Sequence, residues 1–445
     1  MRGIIIILCV IIAFFIIKEN SIQRTKWLFI GLFFTLLDIT ILESPPISSH
    51  KLYLIAFYIS LIRHKELQAE FSNYPFKNIT IILCLLSFAV AFADNRLSLA
   101  SQLQRGFSNI LELSSLFIGY SSIKKVTNFK PIYQTISKYL VIITILGLFT
   151  WIIKSNPYYD FITSIFNNNN TVGIWSEVQE RGYRVCSTFS NPIVYGFILS
   201  IYLLMYWELK EVKVLNINLI IFLLILSNII FSNSRTNLVS LGIAICIYFI
   251  LRYKLSFKLI LHGGTIIILL ILSYYFIEPI RKIFDSVIDI YLTGGANTSG
   301  SSIELKEQQQ QFAYLFFLQS PWWGNGYNYF EEIIQLGKVN FYNGELAGLE
   351  GYGYKLLVEQ GIFMIIANII YMVQIFIFFF KRQYISLSKV SIAIFASFIF
   401  FILLAGTYGG VTYYSLILIG INVKFIQLYS KSQQIKLIHN RQIKR

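Results

Sequence analysis

Runs of roughly 20 apolar residues recur through almost the whole 445-residue chain, and no other feature restricts its fold so severely. That length is what an α-helix needs to cross ~30 Å of hydrocarbon, where no water is present to satisfy an open backbone group. A helical bundle follows. Hydrophobic residues make up 56% of the chain, charged ones 13%, and mean hydropathy is +0.64, which sets it among polytopic membrane proteins rather than soluble or fibrous ones. The fold class expected is all-α, with about 12–13 transmembrane helices and one large extracytoplasmic loop over about 278–354. Candidate spans centre near Val10, Thr35, Phe57, Leu86, Ser114, Ile145, Leu199, Leu224, Ala244, Leu269, Tyr371, Phe398 and Leu418. The third, after Pro45 and Pro46, and the fifth, around Glu112, read as short or interrupted.

The domain order is then membrane helices over 1–277 with a smaller outer loop at 156–185, the large loop at 278–354, further membrane helices over 355–430, and a basic tail at 431–445. Lys and Arg in short loops stay cytoplasmic. With the C-terminus on that side, the inner segments hold 24 of the 37 basic residues, for a net charge of +19, and the rest of the chain nets −4. This orientation places the long loop outside, in a multi-pass membrane protein. The overall charge of +15 is spread over every second loop rather than gathered in a patch, so membrane topology accounts for it and no nucleic-acid partner is expected. No small-residue cleavage site follows Met1 to Ile17, which reads as a first span and not as a signal peptide. Cys9, Cys84 and Cys246 fall in spans and Cys186 is alone outside, so neither a disulfide framework nor a metal cluster is supported.

The polar segment from Glu278 to Tyr354 is an insertion that a transporter does not need, and that a membrane enzyme needs where water-soluble chemistry meets a lipid-anchored substrate. From Pro279, Ile280, Ile283, Phe284, Val287, Ile288 and Tyr291 recur at helical spacing, as in a helix lying in the interface. A glycine-rich break precedes a second helix over Ile303 to Leu318, closed by Ser320-Pro321. After the Gly324-Asn325-Gly326 turn a short helix is expected from Tyr329 to Leu336, with Gly337 as its C-cap.

Candidate site residues lie in three outer segments. In Phe231-Ser232-Asn233-Ser234-Arg235-Thr236, Arg235 opens the ninth span, where free N–H groups, a positive dipole end and a guanidinium would cradle a phosphate or pyrophosphate. The alternative is an arginine reaching to lipid headgroups. Arg184, ahead of the seventh span, is a second phosphate candidate, and Arg181 and Arg281 are weaker ones. The outer segment at 156–185 is also rich in aromatics, including Tyr158, Tyr159 and Trp175, each of which suits interfacial anchoring first, while their number suits sugar faces. Trp323 and Tyr352 are further aromatic candidates for substrate contact. Glu350, among Gly348, Gly351 and Gly353, is the candidate general base, unless it is a solvated loop carboxylate like Glu345. Asp285 and Asp289 share a helix face but read as its solvated side, so no metal and no cofactor is expected. Asp38 and Glu112 lie within apolar spans, where carboxylates can mark an ion path, yet there is no obvious inverted repeat and the long outer segment argues against a flippase.

The ordered motifs RVCSTFSNPIVYGFIL, FSNSRTNLVSLGI, SPWWGNGY and YKLLVEQGI resemble the landmarks of the O-antigen polymerase and O-antigen ligase superfamily, over about Arg184 to Ile362. The resemblance implies sugar transfer on the outer face of the inner membrane, between substrates carried on undecaprenyl pyrophosphate or, for ligases, onto a lipid A core. It makes Arg235 a pyrophosphate-binding residue and sets Lys306 where an arginine is common. Ligases carry a histidine shortly before the last landmark; here the corresponding positions read Glu350-Gly351, and His50, His64, His262 and His439 all lie outside the loop. A polymerase of lipid-linked repeat units for O-antigen, capsule or a similar polysaccharide is therefore expected, with a ligase and a flippase or other transporter as alternatives. The partners implied are undecaprenyl-pyrophosphate-linked oligosaccharides, membrane lipids, and a chain-length regulator and flippase of the same pathway.

Overall fold

In a computed structural model the backbone closes its hydrogen bonds almost wholly within helices, as a chain this apolar must. The structure describes residues 2–35, 39–43, 46–166, 183–211, 219–253, 274–275, 281, 285, 303–329, 352–406 and 410–443, without side chains at 43, 46, 163, 211, 303–309, 352 and 434–443. The first half holds α1 (Arg2–Lys18), α2 (Ser21–Phe34), α3 (Ser49–Arg63), α4 (Leu67–Ser72), α5 (Lys77–Ala93), α6 (Leu99–Leu113), α7 (Ser115–Ser121), α8 (Phe129–Ile153) and α9 (Pro157–Phe166). The second holds α10 (Pro192–Glu211), α11 (Leu219–Phe231), α12 (Arg235–Tyr253), α13 (Ile303–Phe317), α14 (Tyr352–Phe380), α15 (Ser386–Ala405) and α16 (Val411–Ile443). Among the described residues, α8, α10, α12, α14, α15 and α16 are long and apolar enough to cross a membrane. The chain is an all-α polytopic membrane protein.

Local chemistry sets the helix starts. Asn20 accepts from the Gln23 N–H at 3.4 Å to open α2, and Ser98 accepts from Ser101 N–H at 3.4 Å to open α6. Asn191 accepts from the Ile193 N–H at 2.7 Å ahead of Pro192, whose missing donor costs nothing at the first helical position.

One expectation needs correction. The second span does not centre near Thr35: α2 ends at Phe34, and an antiparallel pair of short strands, β1 (Thr40–Glu43) and β2 (Pro46–Ser48), follows it. Thr35 itself is extended, with its hydroxyl donating to the Gly31 carbonyl at 2.5 Å, and Pro46, ahead of the third span, opens the second strand of this hairpin. The fifth span is interrupted, as its sequence suggests. It breaks at Ser114 into α6, which has a polar face, and α7, which is buried all round. The span near Leu269 lies outside the described residues.

The core is tightest where α7 crosses α16. A Cβ on Gly119 would collide with the Ile417 carbonyl, and one on Gly420 with that of Leu116, so the two backbones touch as small residues allow. Some polar groups inside the bundle pair with one another: Tyr133 donates to Asn422 Oδ1 at 2.8 Å, and the Asn422 amide donates to Ser391 Oγ at 3.1 Å.

The helix ends separate two kinds of surface. At one end, where α2, α5 and α8 begin and α3, α10 and α12 finish, charges are matched in ion pairs. Arg24, fully buried, meets Glu66 at 3.0 Å, Lys124 meets the other oxygen of Glu66, and Lys424 meets Glu70 at 2.5 Å. Glu208, also fully buried, accepts from Arg252 at 2.7 Å, Tyr248 at 2.6 Å and Ser386. The opposite end gathers the hairpin, the start of α6, the segment 183–191, the turn before α12, α13 and the starts of α14 and α16.

Candidate functional site

The segment RVCSTFSNP enters the protein as non-helical chain, which is tolerated at such depth only where protein surrounds it. Residues 184–190 are all buried. Side chains strap the segment down. Asn156 donates to the Ser187 carbonyl at 2.8 Å, Ser187 to that of Ile143 at 2.6 Å, and Thr188 to that of Phe33 at 2.6 Å. Its first residues run beside the turn that opens α12. The Val185 N–H donates to the Phe231 carbonyl at 3.0 Å, and Arg184 Nε donates to the Ser232 carbonyl at 3.2 Å.

That turn is built for a helix start. Asn233 adopts φ 48°, a conformation asparagine tolerates, Ser234 is buried, and Arg235 is the first helical residue of α12. Ser232 Oγ donates to the Ile229 carbonyl at 2.7 Å and receives the Asn237 amide at 3.3 Å. Two arginines separated by 50 positions are thus brought to one turn, Arg184 buried against its carbonyl and Arg235 half-buried at its exit. A helix N-terminus beside two guanidinium groups favours negative charge by its electrostatics.

The two last motifs grip each other. α14 is broken at Gly361, which has φ 69° and ψ −178°, and the SPWWGNG turn fills the break. Asn325 N–H donates to the Val358 carbonyl at 2.8 Å, Gly326 N–H to Glu359 at 3.0 Å, and Ile362 N–H to Pro321 at 2.9 Å. A Cβ on Gly361 would stand 2.5 Å from Gly324 N and from the Trp322 carbonyl. Only glycine satisfies both the φ and the contact. Trp322 and Trp323 lie outside this clasp, each more than two-fifths exposed and packed on Phe363 at 5.5 and 5.0 Å.

The other side of the same turn rests on the α5–α6 corner. Asp94, buried, receives both Nε and an NH2 of Arg96 at 2.7 Å, and the Gln102 amide donates to its carbonyl at 2.7 Å. Arg96 also donates to the Asn325 carbonyl at 3.1 Å and lies 4.4 Å from the Tyr329 ring centroid. Arg105 donates to the Tyr327 carbonyl, and the Asn109 amide donates to the Tyr327 hydroxyl at 2.9 Å. Burial pushes the Tyr329 hydroxyl above its usual value, with the Arg96 charge opposing the rise.

These contacts point to what the sequence reading passed over. Ser101, Gln104, Arg105, Ser108, Asn109 and Glu112 recur at i, i+3, i+4, i+7, i+8 and i+11, a polar stripe on one face of α6, and all six line a cavity of about 610 Å³. The cavity is completed by His50 and Lys51 at the start of α3, by Tyr327 of the clasp, and by Tyr413 at the start of α16. Glu112 was noticed as a carboxylate inside an apolar span; the periodicity of its polar neighbours was the signal that it faces a cavity. His50, set aside because it lies outside the loop, packs on Tyr413 at 4.6 Å in the wall of this cavity.

The remaining candidates are dispersed. Arg281 is exposed, and Asp285 accepts from the Tyr274 hydroxyl at 2.8 Å. Tyr158 donates to the Phe34 carbonyl at 2.7 Å and Tyr159 is buried beside Ile39, Ile162 and Phe166, so both serve packing in this structure. Lys306 lies on α13 and Tyr352 opens α14, with their side chains outside the described residues, as are Arg181, Trp175, Asp289, Asp38 and Glu350 altogether.

Residues 220–353 match the family model described as O-Antigen ligase (Wzy_C). No curated protein matches the chain. The matched stretch includes the Arg235 turn, α12, α13 and the glycine turn that clasps α14. Over this stretch the chain is similar to the O-antigen ligase family.

Proposed function

We propose that the protein is a metal-independent polymerase of lipid-linked oligosaccharide repeat units. It transfers the growing glycan from undecaprenyl pyrophosphate to the non-reducing end of another lipid-linked unit, on the outer face of the inner membrane. The loop of 278–354 faces outward and the C-terminus is cytoplasmic. The observation that carries this reading is the convergence of Arg184 and Arg235 on one helix-opening turn inside the matched domain.

The outer compartment lacks nucleotide sugars, so the donor must arrive activated on a lipid. In the reaction, an acceptor hydroxyl oxygen bonds to the anomeric carbon of the donor, the bond from that carbon to pyrophosphate breaks, and undecaprenyl pyrophosphate leaves with the electron pair. Arg235, at the positive end of α12, takes up charge developing on the leaving oxygen. Arg184 holds the turn and adds positive potential beneath it. A general base accepts the hydroxyl proton, and Glu350 is assigned that role. Arg181, Arg281, Lys306, Tyr352 and Trp323 are assigned to substrate contact. A chain-length regulator and a flippase supply and limit the reaction as partners, and nucleic acid has no part in it.

The ligase reading is favoured by one observation, the description of the matched family. The length distribution of surface polysaccharide, resolved on a gel from cells with the gene deleted and restored, separates the two. A polymerase leaves single repeat units on the acceptor when deleted; a ligase leaves lipid-linked polymer unattached. Single units trapped on the cytoplasmic face would point to a flippase and overturn both.

A further inference from the structure

We propose that the cavity under the clasp is a saccharide-binding subsite, which receives the sugar portion of a lipid-linked unit while the Arg235 turn receives pyrophosphate. This inference rests on the glycosyl-transfer reading above and deepens it. A pyranose offers several hydroxyls that both donate and accept, and two C–H faces that pack on aromatic rings. The cavity wall matches that demand. Ser101, Gln104, Ser108, Asn109 and Glu112 supply hydroxyls, amides and a carboxylate on one face of α6, and Tyr327 and Tyr413 supply aromatic groups. Its volume of about 610 Å³ exceeds what an ordered water or two would fill and falls in the range of small-molecule sites.

Charge on the cavity wall is mixed rather than of one sign, with Glu112 standing among Lys51 and Arg105. Lys51 donates to Ser108 Oγ at 3.0 Å. A pocket for phosphate alone would hold cations without a carboxylate, whereas a carboxylate on the wall is suited to accept from a sugar hydroxyl. Ser48 Oγ, in the wall contributed by the hairpin, is buried without a hydrogen-bond partner among the described residues. Such a group is costly unless something else satisfies it. The turn that closes the cavity belongs to the matched domain, while α3, α6 and the hairpin lie before it. The first half of the chain would therefore contribute sugar contacts to a reaction whose pyrophosphate contacts lie in the second.

The test uses the full chain in detergent. Ser108→Cys puts a thiol on the cavity wall, and its labelling by a membrane-impermeant maleimide is measured above that of the parent chain. The probe is the repeat-unit oligosaccharide released from the host's own surface polysaccharide, with maltotetraose at equal concentration as control. Labelling is expected to slow at least fivefold with the repeat unit and not with maltotetraose, and Glu112→Gln or Asn109→Ala is expected to remove most of that protection. An unchanged labelling rate, equal protection by both sugars, or protection that survives both substitutions would overturn the subsite. Should Ser108→Cys fold poorly, Ser101→Cys on the same face gives the same readout. Loss of polymer in the deletion strain without protection here would end the subsite and spare the polymerase reading. Protection here with normal polymer in that strain would do the reverse.

Discussion

The two ends of the bundle use charge differently, although the loop-side end also holds one buried pair, Asp94 with Arg96 at 2.7 Å. At the end that carries Arg24, Glu66, Glu70 and Glu208, each of these groups is locked in an ion pair, and Glu208 has three donors around it. At the other, Arg235 stands half-buried at a helix start and Glu112 lines a cavity with Lys51 and Arg105. Paired charges buried together gain specificity of packing at little net stability, and breaking one partner away is costly. Charges that line a cavity can also meet a ligand, and the reading proposed above sets the chemistry at this loop-side end.

The sharpest way to break that comparison is Arg235→Ala. Chain elongation is expected to fall at least a hundredfold, about 2.7 kcal/mol or more of transition-state stabilisation, with thermal stability within a degree or two of the parent. A variant that elongates normally removes Arg235 from the mechanism. The converse change, Glu208→Ala, leaves Arg252 and Tyr248 facing a buried gap and should cost about 3 kcal/mol of stability, read as a lower Tm in detergent. Specific activity of the surviving protein should be unchanged; a selective loss of activity would blur the two ends.

Gly361→Ala tests the clasp between them. The positive φ and the collision with the Trp322 carbonyl predict a loss of about 2 kcal/mol or more, and accelerated proteolysis between α13 and α14. A neutral result would mean that the glycine turn and the helix break are not in contact. The smallest effect concerns pH. Burial pushes the Glu66 carboxyl up, but Lys124 and Arg24 outweigh it and hold the group below its usual 4.5. Its contribution is therefore complete above about pH 4.5 and lost as pH falls through the lower folded value. Glu66→Gln should flatten that part of a Tm-versus-pH curve, and an unaltered acid limb would show that the pairing is not felt by the fold.

Much of the membrane architecture was legible because apolar length is a direct physical requirement. The second loop helix, expected over Ile303 to Leu318, is α13 at Ile303–Phe317, and Arg235 does open α12. The landmark motifs were legible as strings, but not as partners. Nothing in the spacing of SPWWGNG and VEQG says that one fills a break in the other, since that contact is set by a φ and a backbone hydrogen-bond pattern. The cavity was missed for a different reason. A window of mean hydropathy averages the apolar and polar faces of α6 into a weak span, whereas the spacing of its polar residues separates them. The hairpin at Thr40–Ser48 was hidden by its apolar residues, which extend the α2 pattern past the true helix end at Phe34.

The most direct test of the central claim is reconstitution of the purified chain in liposomes with lipid-linked repeat units, measuring polymer length together with released undecaprenyl pyrophosphate. The account predicts one released carrier for each new glycosidic bond, and neither product from Arg235→Ala. Carrier release without bond formation, or bond formation undiminished in Arg235→Ala, would contradict it.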